Sequence, residues 1–83
     1  AMRARSLMRI VLNRLAAGVP ARQLRATYEN RALFDLQRVR EMLFEIQSIG
    51  DSAHPRKALI PELEEIIDVC ERTLELIRPP AAA

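Results

Sequence analysis

The stretch LFDLQRVREMLFEIQS, residues 33–48, decides the fold, because its apolar residues recur at the three- and four-residue steps of one helix face. The same phase runs back to Pro20 and on to Ile49 with no glycine or proline between them. The pattern therefore predicts one central helix over 20–49, about 45 Å long. Its inward stripe is predicted to be Ala21, Leu24, Tyr28, Ala32, Leu36, Val39, Met42, Leu43, Ile46 and Ile49.

Two shorter helices are predicted on either side of the central one. Residues 3–17 form an amphipathic pattern that Gly18 ends, with one apolar face made of Ala4, Leu7, Met8, Val11, Leu12 and Leu15. A second pattern covers 61–78, with 55–60 as a lead-in turn and 79–83 as a tail. The short connections predict antiparallel packing, with the first helix along the N-terminal half of the central helix and the third along its C-terminal half. The expected fold is all-α: a three-helix up-down-up bundle in a single domain, 1–83, with dimerisation as a way to complete its core.

The third helix has an apolar arc too wide for one neighbour. The seam Ile60, Leu63, Ile67, Cys70, Leu74 and Ile77 has coiled-coil spacing, and Ile66, Val69, Thr73 and Leu76 widen it. The arc covers roughly 200°, more than the stripe of an ordinary surface helix. We therefore expect the third helix to contact both others.

Length and composition set further limits. A chain of 83 residues buries only a modest share of its surface on folding, so a partner would add to its stability. No apolar run reaches the roughly 18 residues of a membrane span. The single cysteine, Cys70, forms no internal disulfide, and no leader peptide pattern is found, so we expect a cytoplasmic protein.

Charge divides the chain into a basic and an acidic part. Net charge is +2, but residues 1–40 carry +7, from nine arginines and two acids, and residues 41–83 carry −5, from four basic and nine acidic side chains. Glu64, Asp68, Glu71 and Glu75 form an acidic ridge on the third helix. This ridge is either solvated or matched by arginines of this chain or of a copy.

Large apolar residues off the inward stripe suggest a partner-binding surface. Leu33 and Phe44 share another side of the central helix, and Phe34 lies on its polar side. Either the third helix covers Leu33 and Phe44, or they are exposed for a second chain; we favour exposure. The predicted partner-binding set is Leu33, Phe34 and Phe44 with Val69 and Leu76 from the third helix, oriented by Glu64, Asp68, Glu71 and Glu75.

An arginine-rich N-terminal half gives an alternative prediction, the binding of nucleic acid or an anionic surface. The candidate residues are Arg3, Arg5, Arg9, Arg14 and Arg22. Those of the first helix surround it instead of lining one side, and no aromatic residue alternates with them for base stacking. We therefore rank this alternative below protein binding.

Catalysis and metal binding are not expected. His54 and Lys57 have the His-x-x-Lys spacing of histidine phosphotransfer domains, but Pro55 places His54 in a turn and Ala58 stands where that family has glycine. One histidine and one cysteine do not make a zinc site, and no nucleophile with an adjacent base is apparent. The sequence predicts a non-catalytic helical interaction module without metal or cofactor, which binds a partner helix or a copy of itself.

Overall fold

The computed structural model describes residues 2–79, which form three α-helices and one short 3₁₀ turn with the segments that connect them. The helices are α1 (Met2–Ala16), α2 (Ala21–Gln47) and α3 (Ile60–Ile77), and the 3₁₀ turn covers Pro55–Leu59. The predicted three-helix bundle with a long central helix is confirmed. Each predicted helix end moves by one or two residues, and Ala1 and residues 80–83 of the predicted tail lie outside the described residues.

A glycine stop ends α1 and turns the chain back on itself. Gly18 adopts φ +88°, and two backbone bonds close the helix end: Gly18 N donates to Leu15 O and Val19 N donates to Arg14 O, both at 3.0 Å. This pair of bonds around a left-handed glycine is the Schellman motif. Pro20, with φ −61°, then precedes the first residue of α2. The resulting connection is short, as predicted.

The second connection is held by side chains that satisfy backbone groups. Ser48 Oγ donates to Phe44 O at 2.8 Å where α2 ends, and Asp51 Oδ1 accepts from Ala53 N at 2.9 Å. His54 Nδ1 accepts from Arg56 N at 3.2 Å and so caps the 3₁₀ turn. The predicted lead-in is thus a 3₁₀ turn, and His54 has a local structural role.

The third helix packs along most of α2, so its predicted restriction to the C-terminal half is wrong. Leu63 lies in one cluster with Ile46, whereas Ile77 lies in another with Leu24. Arg25 Nε donates to Ile77 O at 2.7 Å and fixes the C-terminus of α3 to the N-terminal end of α2. An 18-residue helix extends about 27 Å, which is long enough to reach that far.

The core consists of two clusters along a molecule that measures 48 × 26 × 18 Å. All three helices contribute to both, which confirms that α3 contacts both neighbours. One cluster contains Ala4, Leu36, Ile46, Leu63, Ile66 and Cys70. The other contains Val11, Leu24 and Ile77, with Tyr28 and Leu76 packed against it.

Within the described residues, no helix combines the length and the apolar character that a bilayer-spanning segment requires.

Candidate protein interaction surface

The outward side of α2 carries large apolar side chains that no other described residue covers. Phe44 is 71% exposed, Phe34 57% and Leu33 46%. Successive residues of a helix turn by about 100°, so Phe34 and Phe44 lie on either side of the direction that points away from the buried stripe. Leu33 lies beside Phe44, at the edge next to Leu36. Of the two alternatives for Leu33 and Phe44, the structure shows the exposed one. We call Leu33, Phe34, Gln37, Glu41 and Phe44 the outer strip.

The two flanks of the outer strip differ. Leu33 and Phe44 lie towards α3, beside Arg40, whereas Phe34 lies towards α1 and shares a hollow with Met42. The guanidinium carbon of Arg38 stands 5.8 Å from the centre of the Phe34 ring, within cation–π range. Phe34 is therefore held beside a cation, while Phe44 projects further into solvent.

Val69 and Leu76 lie on a different surface from the outer strip. The prediction that they form one partner-binding surface with Leu33, Phe34 and Phe44 is therefore wrong. Both are half-buried and pack into the core clusters, on the side of α3 that faces α1. Leu76 lines a shallow apolar groove with Met8 and Leu12. The chain itself covers the wide apolar arc of α3, because α1 packs over the edge that carries Val69 and Leu76.

The acidic ridge has mixed partners. Glu71 pairs with Arg40 of α2, and Arg40 Nη2 lies 3.5 Å from Glu71 Oε2. For this one acid, the structure shows the alternative in which an arginine of the central helix matches the ridge. Asp68 pairs with Arg72 inside α3 at 3.0 Å, and Glu75 pairs with Arg78, the residue after α3, at 2.8 Å. Glu64 has no ion pair among residues 3–79. All four acids are exposed, so the ridge faces solvent beside the Leu33 and Phe44 flank.

The arginines of the alternative prediction do not form one patch. Arg5 Nη2 lies 3.0 Å from Glu65 Oε1, so this arginine forms an ion pair between α1 and α3. Arg3 lines the hollow between α1 and α2. The other three of the set are exposed, with Arg9 and Arg14 on α1 and Arg22 at the start of α2. On α1, Arg5 and Arg9 lie on one side and Arg3 and Arg14 on another, so the set does not line a single face.

A hollow of about 250 Å³ between α1 and α2 contains a partly satisfied acid. Asp35 enters the inward side of α2, and its Oδ2 atom is buried without a hydrogen-bond partner among the described residues. Arg3 and Arg38 line the same hollow, as do Phe34 and Met42. No ion pair within the described part of the chain reaches Asp35. The hollow is an imperfectly packed seam between two helices.

Exposed apolar residues beyond the predicted set are Ile10, Leu12, Met42 and Leu59. The sequence pattern placed Leu12 and Met42 on inward stripes. In the structure each lies at the edge of its stripe and is exposed. An edge residue is covered only if a neighbouring helix leans towards it, and periodicity does not contain that information. The inward face of α1 is otherwise as predicted, with Ala4, Leu7 and Val11 buried.

The chemistry of the remaining reactive groups favours structural roles. Burial, followed by the negative charges of Asp35 and Glu71, raises the pKa of the Cys70 thiol above its ordinary value of 9.0. This buried thiol stays protonated at neutral pH and is a poor nucleophile. Across the described part of the chain, no three acidic, histidine or cysteine side chains cluster in a way that could hold a metal ion.

No known protein family, curated protein or solved structure matches this chain.

Proposed function

We propose that this chain is a non-catalytic helical interaction module that binds a partner helix, or a copy of itself, through the outer strip of α2. The single observation that carries the proposal is the exposure of Phe34 and Phe44 on the two flanks of the outward side of α2. Exposed clusters of large apolar groups are uncommon on isolated domains and are typical of binding surfaces. Aromatic residues, phenylalanine included, are also enriched in the buried centres of protein interfaces.

The surroundings of the strip suit a helical partner. The strip follows a straight helix of 27 residues, so it offers an elongated surface rather than a deep pocket. The acidic ridge of α3 lies along the Phe44 flank, and Arg38 lies on the Phe34 flank. Apolar anchors with charged margins are the usual composition of helix-in-groove recognition, in which the charges select orientation. We place this activity in the cytoplasm, because the lone cysteine is a free, buried thiol.

The test replaces the aromatic anchors one at a time. Phe44→Ser and Phe34→Ser remove exposed side chains, so helix content and thermal midpoint by circular dichroism are expected to stay at the wild-type values. Association is expected to fall at least about tenfold for either variant. Association is measured in two ways: the solution mass over a concentration series, and the affinity for amphipathic helical peptides selected on the wild-type protein from a display library.

The matched control is Leu59→Ser, which removes an apolar side chain of 43% exposure outside the outer strip and is expected to leave association unchanged. Unfolding of Phe44→Ser, or neither self-association nor peptide binding in the wild type, would contradict the proposal.

The salt dependence of binding distinguishes protein binding from the alternative function, the binding of nucleic acid or an anionic surface. Binding of nucleic acid or anionic vesicles through arginines weakens steeply from low to physiological salt, whereas apolar helix packing changes little.

A further inference from the structure

Four of the five residues of the outer strip are placed symmetrically about the middle of α2, and the exception is Leu33, whose mirror position holds Glu45. Phe34 and Phe44 lie five residues before and after Val39, and Gln37 and Glu41 lie two residues before and after it. The steps between these residues are three, four and three, the spacing of a coiled-coil seam. Two such helices that run antiparallel about this midpoint would bring each Phe34 level with Phe44 of the other helix.

From this symmetry we propose that the occupant of the outer strip is a second copy of this chain, with the two α2 helices antiparallel. The two-fold axis would cross between the helices on their outward sides, at the level of Val39 along α2. The inference rests on the proposed function and names its partner. In this arrangement Phe44 of each copy enters the hollow that Leu33, Leu36 and Arg40 of the other copy line. The contact occurs twice, as an isologous interface requires.

Charge supports the antiparallel direction. The flank of α2 that faces α1 carries Arg31 and Arg38 before the midpoint and Glu41 and Glu45 after it. Arg38, Glu41 and Glu45 line one shallow hollow with Phe34, which places them on this same flank. None of the four forms an ion pair among residues 3–79. Antiparallel pairing sets the basic half against the acidic half of the other copy, and parallel pairing sets like charges together.

Charge also indicates which helix carries the interface. A two-fold contact centred on α3 would bring the ridge of Glu64, Asp68, Glu71 and Glu75 against its own copy, and like charges so placed repel. The outer strip of α2 has no such run of one sign. An interface centred on the outer strip therefore avoids centring the acidic ridge on its own copy.

The first experiment measures register and direction by disulfide crosslinking. Asn30 and Ser48 are exposed, and each lies nine residues from Val39, so they become neighbours only across an antiparallel dimer. A mixture of Asn30→Cys and Ser48→Cys chains is expected to form a covalent dimer under mild oxidation. Asn30→Cys alone is expected to crosslink at least about tenfold more slowly, because its two copies would stand about 27 Å apart along the axis. Wild-type protein, with its buried Cys70, is the blank.

The second experiment exchanges charges. Arg31→Glu and Glu45→Arg each place like charges across the interface and are expected to raise the Kd of the dimer by about tenfold. The double variant restores opposite charges and is expected to return the Kd to within about threefold of wild type. Arg9→Glu makes the same charge change on α1 and serves as the control, with no expected effect on the Kd.

The outcomes separate this inference from the proposed function. A dimer that crosslinks in the mixed pair and recovers in the double variant supports it. A wild-type protein that stays monomeric at high concentration yet binds helical peptides in a Phe44-dependent manner overturns the second copy as partner and leaves the interaction module intact. A dimer that crosslinks through Asn30→Cys alone overturns the antiparallel arrangement. A monomer that binds no peptide contradicts both proposals.

Discussion

At the scale of single residues, Asp35 works against the stability of the fold. It brings a carboxylate into the seam between α1 and α2, and one of its oxygens is buried without a hydrogen-bond partner among the described residues. A buried acceptor that loses its water without gaining a partner costs free energy, and apolar replacements of such groups are often stabilising. The hollow beside Asp35 has room for a branched side chain.

We therefore expect Asp35→Leu to raise the free energy of unfolding by about 1 kcal/mol, measured by urea denaturation. Asp68→Leu is the control, because it makes the same change at an exposed mid-helix position of α3 and should have a much smaller effect. The variant also removes one of the charges that raise the pKa of Cys70, so that pKa should fall when thiolate absorbance is followed against pH. An unchanged or lower stability for Asp35→Leu would show that Asp35 is satisfied in solution.

At this scale the sequence placed Leu33 and Phe44 off the inward stripe from their angles on α2, and it favoured their exposure over coverage by the third helix. The structure shows both side chains exposed. Val69 and Leu76 were misplaced because their exposure depends on where α1 lies against α3, which is a property of packing and not of periodicity. The unpartnered oxygen of Asp35 could not be predicted either, although the charge within the apolar seam was visible in the sequence.

At the scale of the elements, Gly18 and Gly50 differ in backbone conformation. Gly18 ends α1 at φ +88°, a conformation that strains residues with a side chain, whereas the described residues show no such angle at Gly50. An added methyl group would meet no atom within 4 Å at either position, so any difference between them comes from the backbone alone.

This comparison predicts that Gly18→Ala lowers the free energy of unfolding by about 1 kcal/mol. Gly50→Ala is the matched control and should be neutral or slightly stabilising, because alanine restricts the unfolded chain. Both are measured by urea denaturation under one set of conditions. Equal losses for the two variants would mean that the left-handed turn after α1 is not maintained in solution.

The helices themselves could be predicted almost completely, since glycine, proline and apolar period mark each of them. The extent of their contact could not. The position of α3 along α2 depends on the turn between them and on the hydrogen bond from Arg25 to the end of α3, which joins residues 52 positions apart in the chain. Local patterns carry no signal for a contact over that separation, so α3 was assigned to too short a part of α2.

At the scale of the whole molecule, the two core clusters raise the question of whether the bundle unfolds as one unit. The clusters lie towards opposite ends of a long, narrow molecule. Each helix contributes to both, so neither cluster can lose its packing without loosening helices that the other needs. Small domains connected in this way unfold in a single cooperative transition.

Tyr28 makes this testable, because it is the only tyrosine and packs at the Leu24 and Ile77 end, far from Ile46. We expect urea transitions followed by Tyr28 fluorescence and by far-ultraviolet circular dichroism to coincide. Ile46→Val, in the opposite cluster, should lower the free energy of unfolding by about 1 kcal/mol and shift both signals equally. A Tyr28 signal that keeps its wild-type midpoint in this variant would show that the two ends unfold independently, because only a cooperative core transmits a lost methyl group from one cluster to the other.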